Sequence, residues 1–407
     1  MMHLIYTLII VLFLSSGSFA QLSFTSYTTS NSGLPDNTVR CVTIDANNTK
    51  WIGTDFGLAV FDGINWTTYN TSNSGLPHNA VRAITIDSAG IKWIGTENGG
   101  LTQFDGTNWI SWNTTNSQLS ADYIKSIAID SVGHKWCATI GGLNVFDGSD
   151  FTVYDFFNSN LASNSISSVK IRNDQVKFIC TINGGLTLVT DTVFTTYTIA
   201  NSGFPDNSLS GIDFDLVGNA WLSAPSGGLI VYLGAGSWIN YNTTNSAIPS
   251  NSLSCVKFDH YQNLWIGSQG DGLIMKSGFN YSHYTSANSG LPDDYINSIT
   301  IDDSNRLWIG SSVAGLICAN LITSLEEIDE PMISLYPVPA HNNLTIISNQ
   351  KINNLSIFNS EGRSVMTIKN ITPPYTHIDV SFLIAGIYII RSESSSGRYT
   401  LQKFTKL

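Results

Sequence analysis

The sequence predicts an all-β chain: a seven-bladed β-propeller closed by its own N-terminal strand, followed by a small C-terminal β-sandwich. Three observations predict it. The tetrapeptide Trp51-Ile52-Gly53-Thr54 recurs, with drift, at Trp93, Trp136, Phe178, Trp221, Trp265 and Trp308, at intervals of 42, 43, 42, 43, 44 and 43 residues. The last copy stops before its fourth strand, and an equivalent stretch, Phe24-Thr25-Ser26-Tyr27, stands at the other end. Asn, Ser, Thr and Gly crowd the chain while Glu, a residue that fills helix surfaces, is scarce.

Residues 1–20 read as a signal peptide. An apolar run from Leu4 to Leu14 is too short for a membrane span of about 20 residues. Ser18 and Ala20 supply the small side chains that a signal peptidase requires. The leader carries His3 but no Lys or Arg. No later segment is long and apolar enough to cross a membrane, and no Cys follows the cut to carry a lipid. An exported chain starting at Gln21 is expected.

Residues 21–321 hold the repeats. In the second copy, Val81 to Ile86 is a β-branched run ending in the turn Asp87-Ser88-Ala89-Gly90. Lys92 to Thr96, Gly100 to Phe104 and Trp109 to Trp112 follow as strands, separated by Asn98-Gly99 and Asp105-Gly106. Such Asn-Gly and Asp-Gly pairs are strong hairpin signals because both turn positions favour positive φ. Four antiparallel strands in about 43 residues describe one blade. An open solenoid is the alternative, and six or eight blades are the neighbouring counts. The strand tally favours seven blades and closure, because the N-terminal strand completes the seventh copy and leaves no bare edge.

The repeated Trp reads as a spacer between blades, burying roughly 150–250 Å² per copy. Asp45, Asp87, Asp130, Asp215, Asp259 and Asp302 close one hairpin, and Asp62, Asp105 and Asp147 another, where a carboxylate accepts turn amides. Calcium binding is the competing use of these carboxylates. Cys41, Cys137, Cys180, Cys255 and Cys318 all fall in strands without a recurring partner, so buried thiols are expected.

With a net charge of −11 the chain is a poor match for nucleic acid. Charged residues make up only 12% of it, yet aromatics reach 11%, so long disorder is excluded. No metal ligand spacing, cofactor motif or catalytic constellation is visible. The propeller has one Glu, Glu97, and His78, His134, His260 and His283 sit at unrelated repeat positions. Copies that disagree point to a site instead. At one inner-strand position the first three blades have Arg40, Arg82 and Lys125, where the others have Ser167, Ser210, Ser254 and Asn297. Tyr123 and Tyr295 stand two residues before this position, and Phe56 and Glu97 come from neighbouring hairpin loops. Cations beside aromatics can bind an acidic glycan through charge-assisted hydrogen bonds and ring stacking. A secreted binding or adhesion module is the favoured reading. A polysaccharide-cleaving enzyme of lyase type, using Tyr or His, is the alternative, and a purely structural surface component a third.

The Trp-Ile-Gly-Thr, Gly-Gly-Leu and Phe-Asp-Gly elements resemble those of the two-component regulator propeller family, over roughly residues 22 to 320. That resemblance implies the propeller fold. In that family the repeats most often form periplasmic sensor regions of membrane-bound histidine kinases that respond to glycans, a plan from which this sequence departs in showing neither a transmembrane helix nor a kinase segment. Residues 322–331 are an acidic linker, and residues 332–407 carry a new β pattern. There Tyr336-Pro337-Val338-Pro339-Ala340, Leu344-Thr345-Ile346, Glu361-Gly362-Arg363, Gly386-Ile387-Tyr388 and Lys403-Phe404-Thr405-Lys406 together resemble the type A sorting domain of the type IX secretion system. Val338 stands where that family usually has Asn. The resemblance implies transit across the outer membrane by the type IX secretion machinery. It also implies removal of the domain by a sortase-like peptidase, with the product released or attached to surface lipopolysaccharide. Trp93→Ala is expected to cost about 3–5 kcal/mol in a denaturant titration, because a packed spacer leaves a cavity behind.

Overall fold

A computed structural model describes residues 21–407 apart from 174, 323–332, 349–350, 360–361, 373–374 and 395–398. The leader lies outside the described residues, as does the expected linker apart from Ile322, which ends a strand. The chain divides into two compact units at Ile322 and Thr323.

The first unit contains seven four-stranded antiparallel sheets. The first sheet comprises Val39–Ile44, Lys50–Thr54, Leu58–Phe61 and Trp66–Tyr69, in sequence order. Five sheets repeat this meander. The seventh takes Ile296–Ile301, Leu307–Ser311 and Leu316–Ile322, and its fourth strand is Gln21–Tyr27, paired from Gln21 opposite Ile322 to Tyr27 opposite Leu316. The opening strands of successive sheets lie side by side, and that of the seventh lies beside that of the first. These are the inner strands. Two single-turn helices, Ile199–Ser202 and Ser286–Ser289, sit in the connections that follow the fourth strands of the fourth and sixth sheets.

Apolar side chains gather in the seams between sheets. Trp51 and Leu58 of the first sheet pack with Val81, Ile94 and Phe104 of the second. Trp308 and Leu316 of the seventh pack with Val39, Ile52 and Phe61 of the first. The seam between last and first is therefore built like the others.

Each repeated Trp is fixed by its own hairpin. The indole N–H donates to the carboxylate six residues earlier, in Asp45, Asp87, Asp130, Asp215 and Asp259, at 3.0 Å, and in Asp302 at 2.9 Å. The other carboxylate oxygen accepts backbone amides of the turn, such as Asn47 and Thr49 on Asp45. Both oxygens are thus engaged by the hairpin, and among the described residues no group of three His, Cys, Asp or Glu is placed to hold a metal ion. The exception explains the rule. In the fourth sheet Phe178 has no N–H, the residue six earlier is Arg172, and its guanidinium lies 5.1 Å from the Phe178 ring centre. From the neighbouring sheet a lysine covers the Trp face: Lys92 on Trp51 at 4.6 Å, Lys135 on Trp93 at 4.0 Å, Lys177 on Trp136 at 5.1 Å. Lys50 does the same to Trp308 at 4.7 Å.

The glycine after Trp-Ile marks a close approach. A Cβ on Gly95 would meet Ile124 Cγ2 of the next inner strand at 2.6 Å, and one on Gly310 would meet Val39 Cγ1 at 2.8 Å. The five cysteines are all unpaired. Burial pushes the Cys41 and Cys137 thiols up to about 12.

The second unit has two antiparallel sheets. One orders Ile333–Tyr336, Asn343–Ser348 and Tyr375–Asp379, and the other Ser364–Ile371, Ile352–Phe358, Gly386–Ser394 and Tyr399–Lys406. Leu344, Ile346, Ile378, Leu355, Ile357, Ile390 and Phe404 form the core of this unit.

Burial raises the carboxyl pKa of Asp45, Asp215 and Asp302, but hydrogen bonds from the indole and the turn amides outweigh it and hold each below its ordinary value of 3.8. A depressed folded pKa gives stability that is present above the unfolded value and lost as protons are taken up below it. Thermal stability is therefore expected to fall as pH drops below about 4, and the drop to be smaller in Asp45→Asn, read by unfolding midpoints across pH 3–7.

Candidate functional site

The position where the copies disagree is a β-bulge. Val39 pairs with Thr54 and Cys41 with Gly53, which leaves Arg40 as the extra residue. The same register shift leaves out Arg82, Lys125, Ser167, Ser254 and Asn297 in their sheets. A bulge breaks the ladder and re-aims the side chain. The sequence carries its signal: the buried residues of several of these strands recur at a spacing of three, as in Val39 and Val42 or Ile166 and Val169, where an unbroken strand would repeat every two.

On the fifth, sixth and seventh sheets the polar side chain here is consumed locally. Ser210 Oγ donates to Leu253 O at 2.9 Å, Ser254 Oγ to Ile296 O, and Asn297 Nδ2 to Val39 O at 2.9 Å. Each of these carbonyls belongs to the next inner strand, the last one spanning from the seventh sheet to the first. The longer cations of the first three sheets do something different.

Arg40 binds Asp55 with two hydrogen bonds, Nε to Oδ1 at 3.0 Å and Nη2 to Oδ2 at 2.8 Å. Arg82 bridges Asp55 and Glu97, one nitrogen to each. Burial raises the Asp55 carboxyl pKa, yet the two guanidiniums prevail and hold it low. Burial disfavours the charged Arg82, but Glu97 and Asp55 overcome it and push its pKa up. Two arginines and two acids compensate each other. Lys125 makes no ion pair among the described residues, and its ammonium stands 5.3 Å from the centre of the Tyr123 ring. Burial lowers its pKa. Two buried polar atoms at the same inner-strand position also lack a partner: Arg82 Nε and Ser167 Oγ.

The structure therefore joins Arg40, Arg82 and Glu97 through Asp55, and separately joins Lys125 to Tyr123. Phe56 follows Asp55 in its loop and is 62% exposed. Tyr295 is also exposed, its ring beside Gly270, and it touches none of the other candidates through a hydrogen bond or ring contact. Sequence reasoning missed Asp55, which lies one residue from Phe56 and in the repeat slot of Glu97. It also missed Ile140, Ile182 and Val313, exposed apolar residues in the corresponding loops of other sheets.

In the second unit the motif residues converge. Ala340 N donates to Thr405 O at 2.8 Å and Leu407 N to Ala340 O at 2.9 Å, tying the Tyr336-Pro337-Val338-Pro339 segment to the last strand. Gly386 pairs with Lys406, Tyr388 with Phe404 and Ile389 with Lys403. The Tyr388 ring stacks on Phe404 at 5.5 Å, and its hydroxyl donates to Ile384 O at 2.8 Å. Gly362, at φ +77°, occupies the turn that leads to Arg363, whose amide donates to Asn359 Oδ1 at 2.9 Å. Glu361 lies outside the described residues.

Residues 334–406 match the family model of the secretion system C-terminal sorting domain, and residues 290–312 that of the two component regulator propeller. The sorting domain indicates export to the cell surface or secretion, and implies interaction with the type IX secretion machinery. No curated protein matches the chain. Among solved structures, the chain is similar to an extracellular domain assigned to the hybrid two component system BT3049 of B. thetaiotaomicron, at 18% identity and TM-score 0.64, covering 94% of this chain and 57% of that one. It is similar to PorZ, an essential bacterial surface component of the type-IX secretion system of Porphyromonas gingivalis, at 16% identity and TM-score 0.60, covering 94% of this chain and 61% of that one. Virginiamycin B lyase from Staphylococcus aureus matches at 14% identity and TM-score 0.60, over 74% of this chain and all of that one. The chain thus spans little more than half the length of the first two, and at these identities the likeness shows an all-β fold with propeller neighbours. No helix of the described residues is long and apolar enough to cross a membrane.

Arg82, the less exposed of the two arginines, holds both acids. Arg82→Met is expected to destabilise by about 1–3 kcal/mol, and Arg40→Met by less, because the first leaves two carboxylates under-neutralised. Denaturant midpoints at low salt give the ranking.

Proposed function

We propose that the chain is a secreted or surface-held binding module, a seven-bladed propeller closed by its N-terminal strand, that binds acidic glycans at the mouth lined by the bulges. Residues 1–20 serve as the export signal. Residues 332–407 form the sorting domain, which a sortase-like peptidase removes near the 322–331 linker, leaving the propeller released or attached to surface lipopolysaccharide.

The observation that carries the ligand class is the state of Lys125. The arginines are held by Asp55 and Glu97, whereas Lys125 has no acid and stands beside Tyr123. A uronate offers what this pair lacks: a carboxylate for the ammonium and a sugar face for the ring. Phe56 and Tyr295 are further exposed aromatics on which a sugar can stack, while Arg40, Arg82 and Glu97 form the firm side of the mouth. In the lyase reading, the Tyr123 oxygen takes the proton beside the carboxylate that Lys125 neutralises, and the proton goes on to the leaving sugar oxygen as its C–O bond breaks and the ring double bond forms.

Retention of the chain on a polyuronate column at low salt tests the reading. Lys125→Met is expected to weaken binding about tenfold or more, the scale of one charge-assisted contact, and Lys125→Arg to keep it. Unchanged retention of Lys125→Met overturns the proposal. Unsaturated products detected by absorbance in the flow-through would assign the lyase reading instead.

A further inference from the structure

The inner strands are cationic in a chain that is acidic overall. They hold Arg40, Arg82, Lys125, Lys170, Arg172 and Lys257 against one acid, Asp213. The whole chain has 19 Lys and Arg to 30 Asp and Glu. Charge of one sign on the walls of a concave, low-dielectric site concentrates counter-ions there.

Three of these charges meet away from the mouth. Three residues beyond the bulge, or about 10 Å along a strand, the inner strands carry Thr43, Thr85, Ala128, Lys170, Asp213, Lys257 and Thr300 in order. The Lys170 ammonium binds Asp213 Oδ1, and the Lys257 ammonium lies 3.6 Å from Oδ2. That second oxygen already accepts the Phe258 backbone N–H at 2.9 Å. Asp213 is 6% exposed, whereas the lysine side chains keep about a third of their surface, 33% and 35%.

Support of the neighbouring strand does not require this trio. In the first sheet the Thr43 hydroxyl donates to Ile84 O and does that work without charge. One carboxylate neutralises one ammonium, and 3.6 Å leaves Lys257 outside hydrogen-bond range of it. An oxygen-rich anion is the chemistry that completes the arrangement.

We propose that Lys170 and Lys257, aligned by Asp213, form a second binding site, for a small oxyanion such as phosphate or a carboxylate, bridged between the two ammonium groups. The site is separate from Lys125 and Tyr123 and does not rest on the glycan reading.

Thermal unfolding of the full chain in inorganic phosphate, acetate or chloride at matched ionic strength tests it. Phosphate at about ten times its dissociation constant is expected to raise the midpoint by roughly 2 °C over chloride. Lys257→Met, which keeps the Lys170 and Asp213 pair, is expected to lose that gain, with Lys257→Gln as the second variant should the first not fold. Lys125→Met is expected to retain it. A larger gain in acetate than in phosphate, lost in Lys257→Met and kept in Lys125→Met, supports the site and assigns it to carboxylates. The proposal is overturned if neither anion shifts the wild-type midpoint, or if the Lys257 variants respond as the wild type does.

Discussion

The hydrogen bond from an indole N–H to a hairpin carboxylate is the constraint on which the rest of the first unit depends. It locks the orientation of a large ring at the seam between two sheets, and a lysine from the next sheet then covers that ring in several copies. The same carboxylate gathers the turn amides, so one side chain fixes the hairpin and the packing partner together. Loss of the indole at Phe178 is accompanied by loss of the acid, and Arg172 takes over with its guanidinium on the ring. The substitution shows that the two residues work as a unit. An aspartate without an indole donor there would sit in the seam with an unmet acceptor.

Most of the architecture was legible because period and turn chemistry agree. Trp93, the Asp87 turn and Asp105-Gly106 place three of four strands of the second sheet to the residue. The fourth begins one residue later than expected because Gly100 has φ +76° and belongs to the turn. The strand Ile333–Tyr336 was not anticipated, since its four residues run into Pro337 and offer no alternation long enough to read.

The bulge position was less legible. Arg40, Arg82 and Lys125 stand out as departures from the repeat, but their departure is of two kinds. The arginines reach acids on loops, and a contact across fifteen or more residues leaves no local trace in the sequence. Among the described residues Lys125 reaches no acid, and nothing in the repeat pattern sets it apart from the two arginines. The Lys170, Asp213 and Lys257 trio was hidden for another reason. Its members occupy one repeat slot in three successive copies, and that slot is variable enough for the change to pass as drift.

The seventh sheet joins Gln21–Tyr27 to Leu316–Ile322, two segments about 300 residues apart. Such distant pairing is slow to form because the intervening chain must first be brought together. Until the last repeat is present, the unit has a bare ladder at one margin and a loose strand at the other. A polypeptide that emerges amino end first therefore lacks this pairing until residue 322 of 407 has been made. Cutting it anywhere within the final copy would cost the first residues their place as surely as the last.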